Sequence, residues 1–289
     1  MSDSDIHPTA IIDKGAQLGA NVTIGAYSVI GAHVKMSDNV RIDSHVTISG
    51  HTSIGARTHI FPFASIGHQP QDLKFAGEIT QLEIGTDNRI REHVTINPGT
   101  KGGGGITRIG NHGLFMVGAH IAHDCLLGDH VILANNVTLG GHVVIDDFAI
   151  IGGLSGIHQF CRIGTGSFVG GASAVAQDVI PYGSVLGNRA VLAGLNFVGL
   201  KRQQFERAHI HALHASYKMI FNAKQDPANH ADSNQATFQE RVQQAKAEYG
   251  GSPLVDKLVD FIEQGKGRGY CLPSSRREAT HALEDNESE

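Results

Sequence analysis

No apolar stretch in this 289-residue chain is long enough to span a bilayer, and the opening MSDSDIHPTA has neither the charged nor the apolar region of a signal peptide. The expectation is a cytoplasmic protein that does not cross a membrane. Basic runs are missing too, and the formal net charge is -5, which argues against nucleic acid as the main partner. Cysteine occurs only three times, and nothing near Cys271 suggests a metal or redox motif.

What the chain does have is a period. Eleven aliphatic residues stand six apart from Ile6 to Ile66, and a second ladder of twelve rungs runs from Ile109 through Phe115, Ile121 and Leu139 to Val175. No helix has period six and no amphipathic strand needs it, so the chain must turn a corner after each short strand. Two places before each rung stand small or β-branched residues such as Val22, Ser28, Val34, Cys125 and Val143. Glycine often follows the rung, as at Gly19, Gly25, Gly55, Gly67, Gly128 and Gly170, where a bend can use its freedom at positive φ. The pattern predicts a mainly β protein, a parallel β-helix of hexapeptide repeats over residues 1–189. Three hexads make one triangular coil, so residues eighteen apart should stack roughly 4.8 Å above one another. Cys125 and Cys161 then lie two coils apart, about 9 to 10 Å, beyond disulfide reach, and read as small core residues.

The breaks carry as much information as the rungs. Between Ile66 and Ile84 the rungs fail, and an excursion at 68–82 takes the place of a coil's worth of sequence; it holds Gln71, Asp72 and Lys74, polar residues the repeat does not require. A second excursion at 99–107, GTKGGGGIT, has four consecutive glycines. No helix start follows them, so a plain flexible loop is expected rather than a phosphate cradle. After Asn188 helical spacing takes over. The pattern predicts one helix through LNFVGLKRQQFERAHIHALHASYKMIFNA, a second over 234–249 and a third over 253–264, giving a helical domain at 190–270. The polar, acidic end, 271–289, is expected to be a disordered tail.

Eighteen histidines are many, and most read as solvated turn residues. Four are set apart, His120, His123, His142 and His158. Stacking by eighteen puts His123 and Asp124 directly below Gly141 and His142, with Gln159 and Phe160 one coil higher. Gly141 leaves the space above His123 empty. A histidine with clear space above it and a carboxylate beside it is what a general base needs.

The run GAHIAHDCLLGDHVILANNVTLGGHVVIDDFAIIGG, then GIHQFCRIG, VAQDVIPY, GN and NFVGLKR, resembles the acyl-carrier-protein:UDP-N-acetylglucosamine O-acyltransferases that start lipid A synthesis. The resemblance extends to about residue 222. It implies a left-handed β-helix with a helical C-terminal part, and a homotrimer with active sites between subunits. The implied reaction moves a 3-hydroxyacyl group from acyl carrier protein to the sugar 3-OH without a metal or bound cofactor. By the same resemblance His123 is the general base, Asp124 its support, and Gly141 the backbone N–H that faces the oxyanion. His120, His142, His158 and Gln159 match substrate-positioning residues, while Gln71, Asp72 and Lys74 match sugar and pyrophosphate contacts. Asn196 and Arg202 match nucleotide contacts, and Gly171 matches the far end of an acyl groove, where glycine implies a longer chain. Val198, Gln203 and the pair Asn97–Pro98 depart from the family's usual residues.

Other readings stay open at this level. An N-acyltransferase acting later on the acylated sugar is expected to carry an extra N-terminal domain, whereas the ladder here begins at Ile6. A zinc hydratase of the carbonic anhydrase type would use His120, His123 and His142 as ligands. A non-catalytic scaffold would need none of these groups. Acyl-chain length, and a 3-hydroxyl against a 3-amino acceptor, are open as well.

Overall fold

The computed structural model describes residues 5–221, 236–265 and 268–274. Each hexad folds as two extended residues and a corner, and parallel pairing links Ile6 to Ile24, Ile24 to Ile42 and Ile30 to Ile48, eighteen apart as expected. Among the described residues the strands stack into three sheets of eleven, nine and eight strands, the faces of a left-handed triangular β-helix. Rungs point inward and are almost wholly removed from water, as at Ile30, Ile60, Ile96, Ile121 and Ile151. Each fully buried aliphatic contributes roughly 1.5–3 kcal/mol, and the repetition makes the core a continuous column. The small residues two places before the rung are buried with them, Cys125 and Cys161 included, and burial pushes these thiols up to about 12 and about 11.

The corners correct one expectation. Of the glycines after rungs named above, only Gly67 has a positive φ. The left-handed residue stands three places after the rung, at Asn21, Tyr27, His45, Phe63, Asp124, His142 and Phe160, with φ between 57° and 67°. Asn, Asp and His tolerate this region better than most side chains. Where the position holds an aromatic ring, the rings also stack from coil to coil, as Tyr27 on His45 at 5.1 Å and His142 on Phe160 at 4.4 Å. Glycine after the rung is required by closeness instead. A Cβ at Gly25 would stand 2.7 Å from the carbonyl carbon of Asp43 one coil up.

Register also redefines the excursions. Ile54 pairs with Ile84, thirty residues on, so the first excursion inserts twelve residues at a corner rather than replacing a coil. Ile96 pairs with Ile121, twenty-five on, so the second inserts seven. Both leave from the corner between the nine-stranded and eight-stranded sheets, one above the other. The next coil up at that same corner carries His123 and Asp124.

Among its described residues the C-terminal part holds four helices: α1 (Phe197–Arg202), α2 (Arg207–Ile220), α3 (Phe238–Tyr249) and α4 (Pro253–Glu263). The single first helix expected from spacing is broken in two at Gln204, which has a φ of 58°. The expected end of that helix at 222–223 and the start of the next at 234 lie outside the described residues. Thr237 and Glu240 form a reciprocal capping box that starts α3. An antiparallel pair, Gly183–Leu186 with Val191–Leu195, closes the eleven-stranded sheet where spacing gave no sign of strands. Among the residues expected in a tail, Cys271 is buried and its N–H donates to the Asp178 carbonyl, and Leu192 N–H donates to Leu272 O. Residues 275–289 of that tail lie outside the described residues.

Candidate active site

The corner after Ile121 turns at Asp124, whose φ of 59° swings its side chain back into the stack. The Asp124 side chain is wholly buried, and so needs partners. His123 Nδ1 lies 2.7 Å from Asp124 Oδ2. A carboxylate accepts, so this bond fixes the proton on Nδ1 and leaves Nε2 as the acceptor. Thr100 supplies the other partners: its N–H donates to Oδ1 at 2.8 Å and its hydroxyl to Oδ2 at 2.6 Å. Asp124 N–H in turn donates to Thr107 Oγ1 at 2.8 Å.

Gly141 stands directly over the imidazole. A Cβ there would come within 2.5 Å of His123 Cε1 and 2.7 Å of Nε2, so the imidazole can take this position only because the residue is glycine. His142, beside it, meets His123 edge-on at 5.1 Å and stacks on Phe160. Burial holds His142 below the usual histidine range, against a partial upward pull from Asp124; His123 lowers it further, and Asp72 is close enough to raise it slightly. Burial, then the neighbouring His123, likewise lowers His120, whose Nδ1 is hydrogen-bonded to Thr95 Oγ1 at 2.7 Å.

The remaining candidates divide by position. Asp72 is linked to the corner through its charge at His142, and it fixes its own turn by accepting from Lys74 N–H at 3.0 Å; Gln71 and Lys74 are exposed on the same excursion. His158 donates from Nδ1 to the Gln159 carbonyl at 3.1 Å, and both residues are exposed above Gly141. Asn196 and Arg202 are not brought to this corner. Asn196 caps α1 by accepting from Gly199 N–H, and its Nδ2 donates to Gly166 O, which sits at the corner between the eight- and eleven-stranded sheets. Gly171 occupies the third corner, and a Cβ there would approach Gly153 O at 3.3 Å, a tight contact that the neighbouring backbone must relieve by a few tenths of an ångström. Among the departures, Val198 is exposed on α1 and Gln203 is its C-cap, while Asn97 Nδ2 donates to the carbonyls of His68 and Gln69 and ties down the foot of the first excursion.

Among the described residues, His123, Asp124 and His142 are the one group whose donor atoms converge as metal ligands would. Two ligands of a tetrahedral zinc lie about 3.3 Å apart. The 2.7 Å between His123 Nδ1 and Asp124 Oδ2 is a hydrogen bond, and the second bond to that oxygen comes from Thr100. The corner is built as a supported imidazole.

Comparison with known proteins bears on the family. Residues 178–271 match the family model described as UDP N-acetylglucosamine O-acyltransferase, domain 2. The acyl-(acyl-carrier-protein)–UDP-N-acetylglucosamine O-acyltransferase of Rickettsia canadensis is 48% identical over 271 residues, 94% of this chain and 98% of that protein. The chain belongs to this O-acyltransferase family. The corresponding enzyme of Aliarcobacter butzleri is 55% identical over 218 residues, 75% of this chain and 84% of that one. Among solved structures, the UDP-N-acetylglucosamine O-acyltransferase of Moraxella catarrhalis is 42% identical with a TM-score of 0.85, covering 92% of this chain and 99% of that chain. Within this acyltransferase the residues that sequence reasoning missed are Thr95, Thr100, Thr107 and Gly103. Their signal was the register: counting twenty-five back from His123 and Asp124 lands on Pro98 and Gly99, at the mouth of the glycine-rich excursion.

Proposed function

We propose that this acyltransferase moves a 3-hydroxyacyl chain from acyl carrier protein to the 3-OH of UDP-N-acetylglucosamine, the first step of lipid A biosynthesis. The observation that carries the mechanism is the 2.7 Å bond between His123 Nδ1 and the Asp124 carboxylate, which leaves Nε2 as the acceptor beside Gly141. His123 Nε2 takes the proton of the sugar hydroxyl as its oxygen attacks the thioester carbonyl. The oxyanion of the tetrahedral intermediate is met by the Gly141 N–H, a fixed dipole aimed where charge develops. Collapse breaks the C–S bond, and the imidazolium returns its proton to the departing thiolate. His120 and His142, kept neutral by burial, serve as polar contacts to the substrate rather than as competing acids.

The three corners bear on how the substrates lie. His123 and Gly171 flank the nine-stranded face, whose outward residues between them are His120, Thr138, Gly156 and Ala174. Nothing within 4 Å meets a Cβ built at Gly156. From the coil of His123 to that of Gly171 is nearly three steps of roughly 4.8 Å, a trough suited to a longer 3-hydroxyacyl chain. Asn196 and Arg202 lie around the opposite corner, so a nucleotide held by them beside His123 requires a second copy of the chain. This favours a homotrimer with sites shared between subunits.

Purified protein, 3-hydroxyacyl carrier proteins of several chain lengths and either UDP-N-acetylglucosamine or its 3-amino counterpart test the reading directly. His123→Ala should cost at least about 100-fold in kcat, within the 10² to 10⁴ that a positioned base supplies. Near-normal turnover by that variant would sink the assignment.

A further inference from the structure

Glycine-rich excursions invite a phosphate or a flexible lid, but this one turns inward. Two of the three hydrogen bonds on the Asp124 carboxylate come from Thr100, one to each oxygen. A carboxylate gripped at both oxygens cannot rotate, and the grip leaves Oδ2 turned toward His123 Nδ1. Thr107, at the other end of the excursion, holds Asp124 N–H and with it the left-handed corner.

The loop is shaped to hold Thr100 there. Gly103 and Gly105 N–H groups both donate to the Thr100 carbonyl, at 3.0 and 2.8 Å, and Gly99 N–H donates to Gln81 O at 3.1 Å. Lys101 N–H donates to Glu78 Oε1 of the first excursion at 3.2 Å. A Cβ on Gly103 would overlap the Asp124 carboxylate, so this glycine lets the turn close against it. Gly104 and Gly105 have φ of 100° and 81°, which reverses the chain within two residues.

We propose that Thr100 is a positioning residue for the transfer reaction, gripping Asp124 so that His123 keeps its Nδ1 proton and presents Nε2 to the acceptor hydroxyl. The proposal rests on His123 acting as the base. Thr100 is buried, and it acts through Asp124.

Steady-state kinetics of the full-length protein test it. Thr100→Val keeps the N–H and removes the hydroxyl; kcat should fall ~10- to 100-fold, a part of the 10² to 10⁴ a positioned base supplies, with KM for the sugar nucleotide within about twofold. Thr100→Ser keeps the hydroxyl and should stay within about threefold of wild type. On a His123→Ala background, Thr100→Val should cost nothing more. An unchanged kcat in the valine variant, an equal loss in the serine variant, a rise in KM alone, or a further tenfold loss on the His123→Ala background would each overturn the role. Near-normal turnover by His123→Ala itself would instead overturn the base, and Thr100's role with it. If the melting temperature shows that valine is not accommodated, Thr100→Ala is judged by the same criteria.

Discussion

A methyl group at residue 141 would occupy the place of the His123 ring edge, since its Cβ falls 2.5 Å from Cε1. Gly141 has an ordinary negative φ, so Gly141→Ala meets no backbone penalty and should fold. The imidazole must move instead, and a shift near 1 Å at a reacting group can cost about 100-fold. A loss of that size in kcat, at a melting temperature within a few degrees of wild type, is the expected outcome; full activity would show that His123 does not need the space. Two neighbouring histidines give a pH dependence with a definite sign. His120 and His142 are held below the ordinary value near 6.5 by burial, while in the unfolded chain they titrate normally. As pH falls below about 6.5 the unfolded state binds more protons than the folded one, so stability declines. It is fully present above the unfolded value and keeps falling until the lowered folded values are passed. Melting temperatures measured from pH 7.5 to 5 should therefore drop, and His120→Asn should flatten part of the slope.

At the scale of the hexad, the same residue type serves different ends, and glycine shows it best. A Cβ at Gly85 would lie 2.5 Å from the Gly110 carbonyl oxygen, whereas one at Gly171 meets only Gly153 O at 3.3 Å. Gly85→Ala forces neighbouring coils apart and should destabilise by about 1–3 kcal/mol in a denaturant titration, the usual range for overpacking. Gly171→Met needs a smaller backbone adjustment and should shift donor preference toward shorter acyl chains; an unchanged length profile in the folded variant would reject the ruler. This contrast marks what was legible from sequence. The ladder Ile6 to Ile66, the stacking of Gly141 over His123 and the separation of Cys125 from Cys161 follow from period alone, because each rung must face inward. The left-handed corners were misplaced onto the glycines after rungs, since flexibility and close approach leave the same residue in the sequence. Thr100 stayed hidden because an insertion has no period: only the pairing of Ile96 with Ile121 reveals what lies under Asp124. The strands at 183–186 and 191–195 and the break at Gln204 depend on contacts between the last coil and the helices, which no local pattern records.

Taken whole, the molecule joins a rigid column to a helical cap, and Arg162 is where the two are fastened. Its Nε donates to Asp178 Oδ2 at 2.7 Å and its backbone N–H to Asp178 Oδ1 at 2.8 Å, while Nη2 donates to the Phe261 carbonyl of α4. The guanidinium also lies 4.1 Å over the Phe261 ring. Asp178 is itself a crossing point, since its N–H donates to Gly269 O and its carbonyl accepts from Cys271 N–H. Both partners are largely withdrawn from water, at 21% and 4% side-chain exposure, so removing one leaves the other charge without compensation. Asp178→Ala should therefore cost about 3–5 kcal/mol, far more than the 0–1 kcal/mol of an exposed pair such as Arg41 with Asp43. The loss should fall on the junction. The column keeps its own continuous core of rungs, so limited proteolysis of the variant should release fragments of the helical part while the coil to about residue 175 survives. A single cooperative transition that destroys both together would show instead that the cap and the coil stand or fall as one unit. Under the nucleotide role proposed for Asn196 and Arg202, at the two ends of α1, the same variant should raise KM for the sugar nucleotide while leaving the His123–Asp124 corner intact.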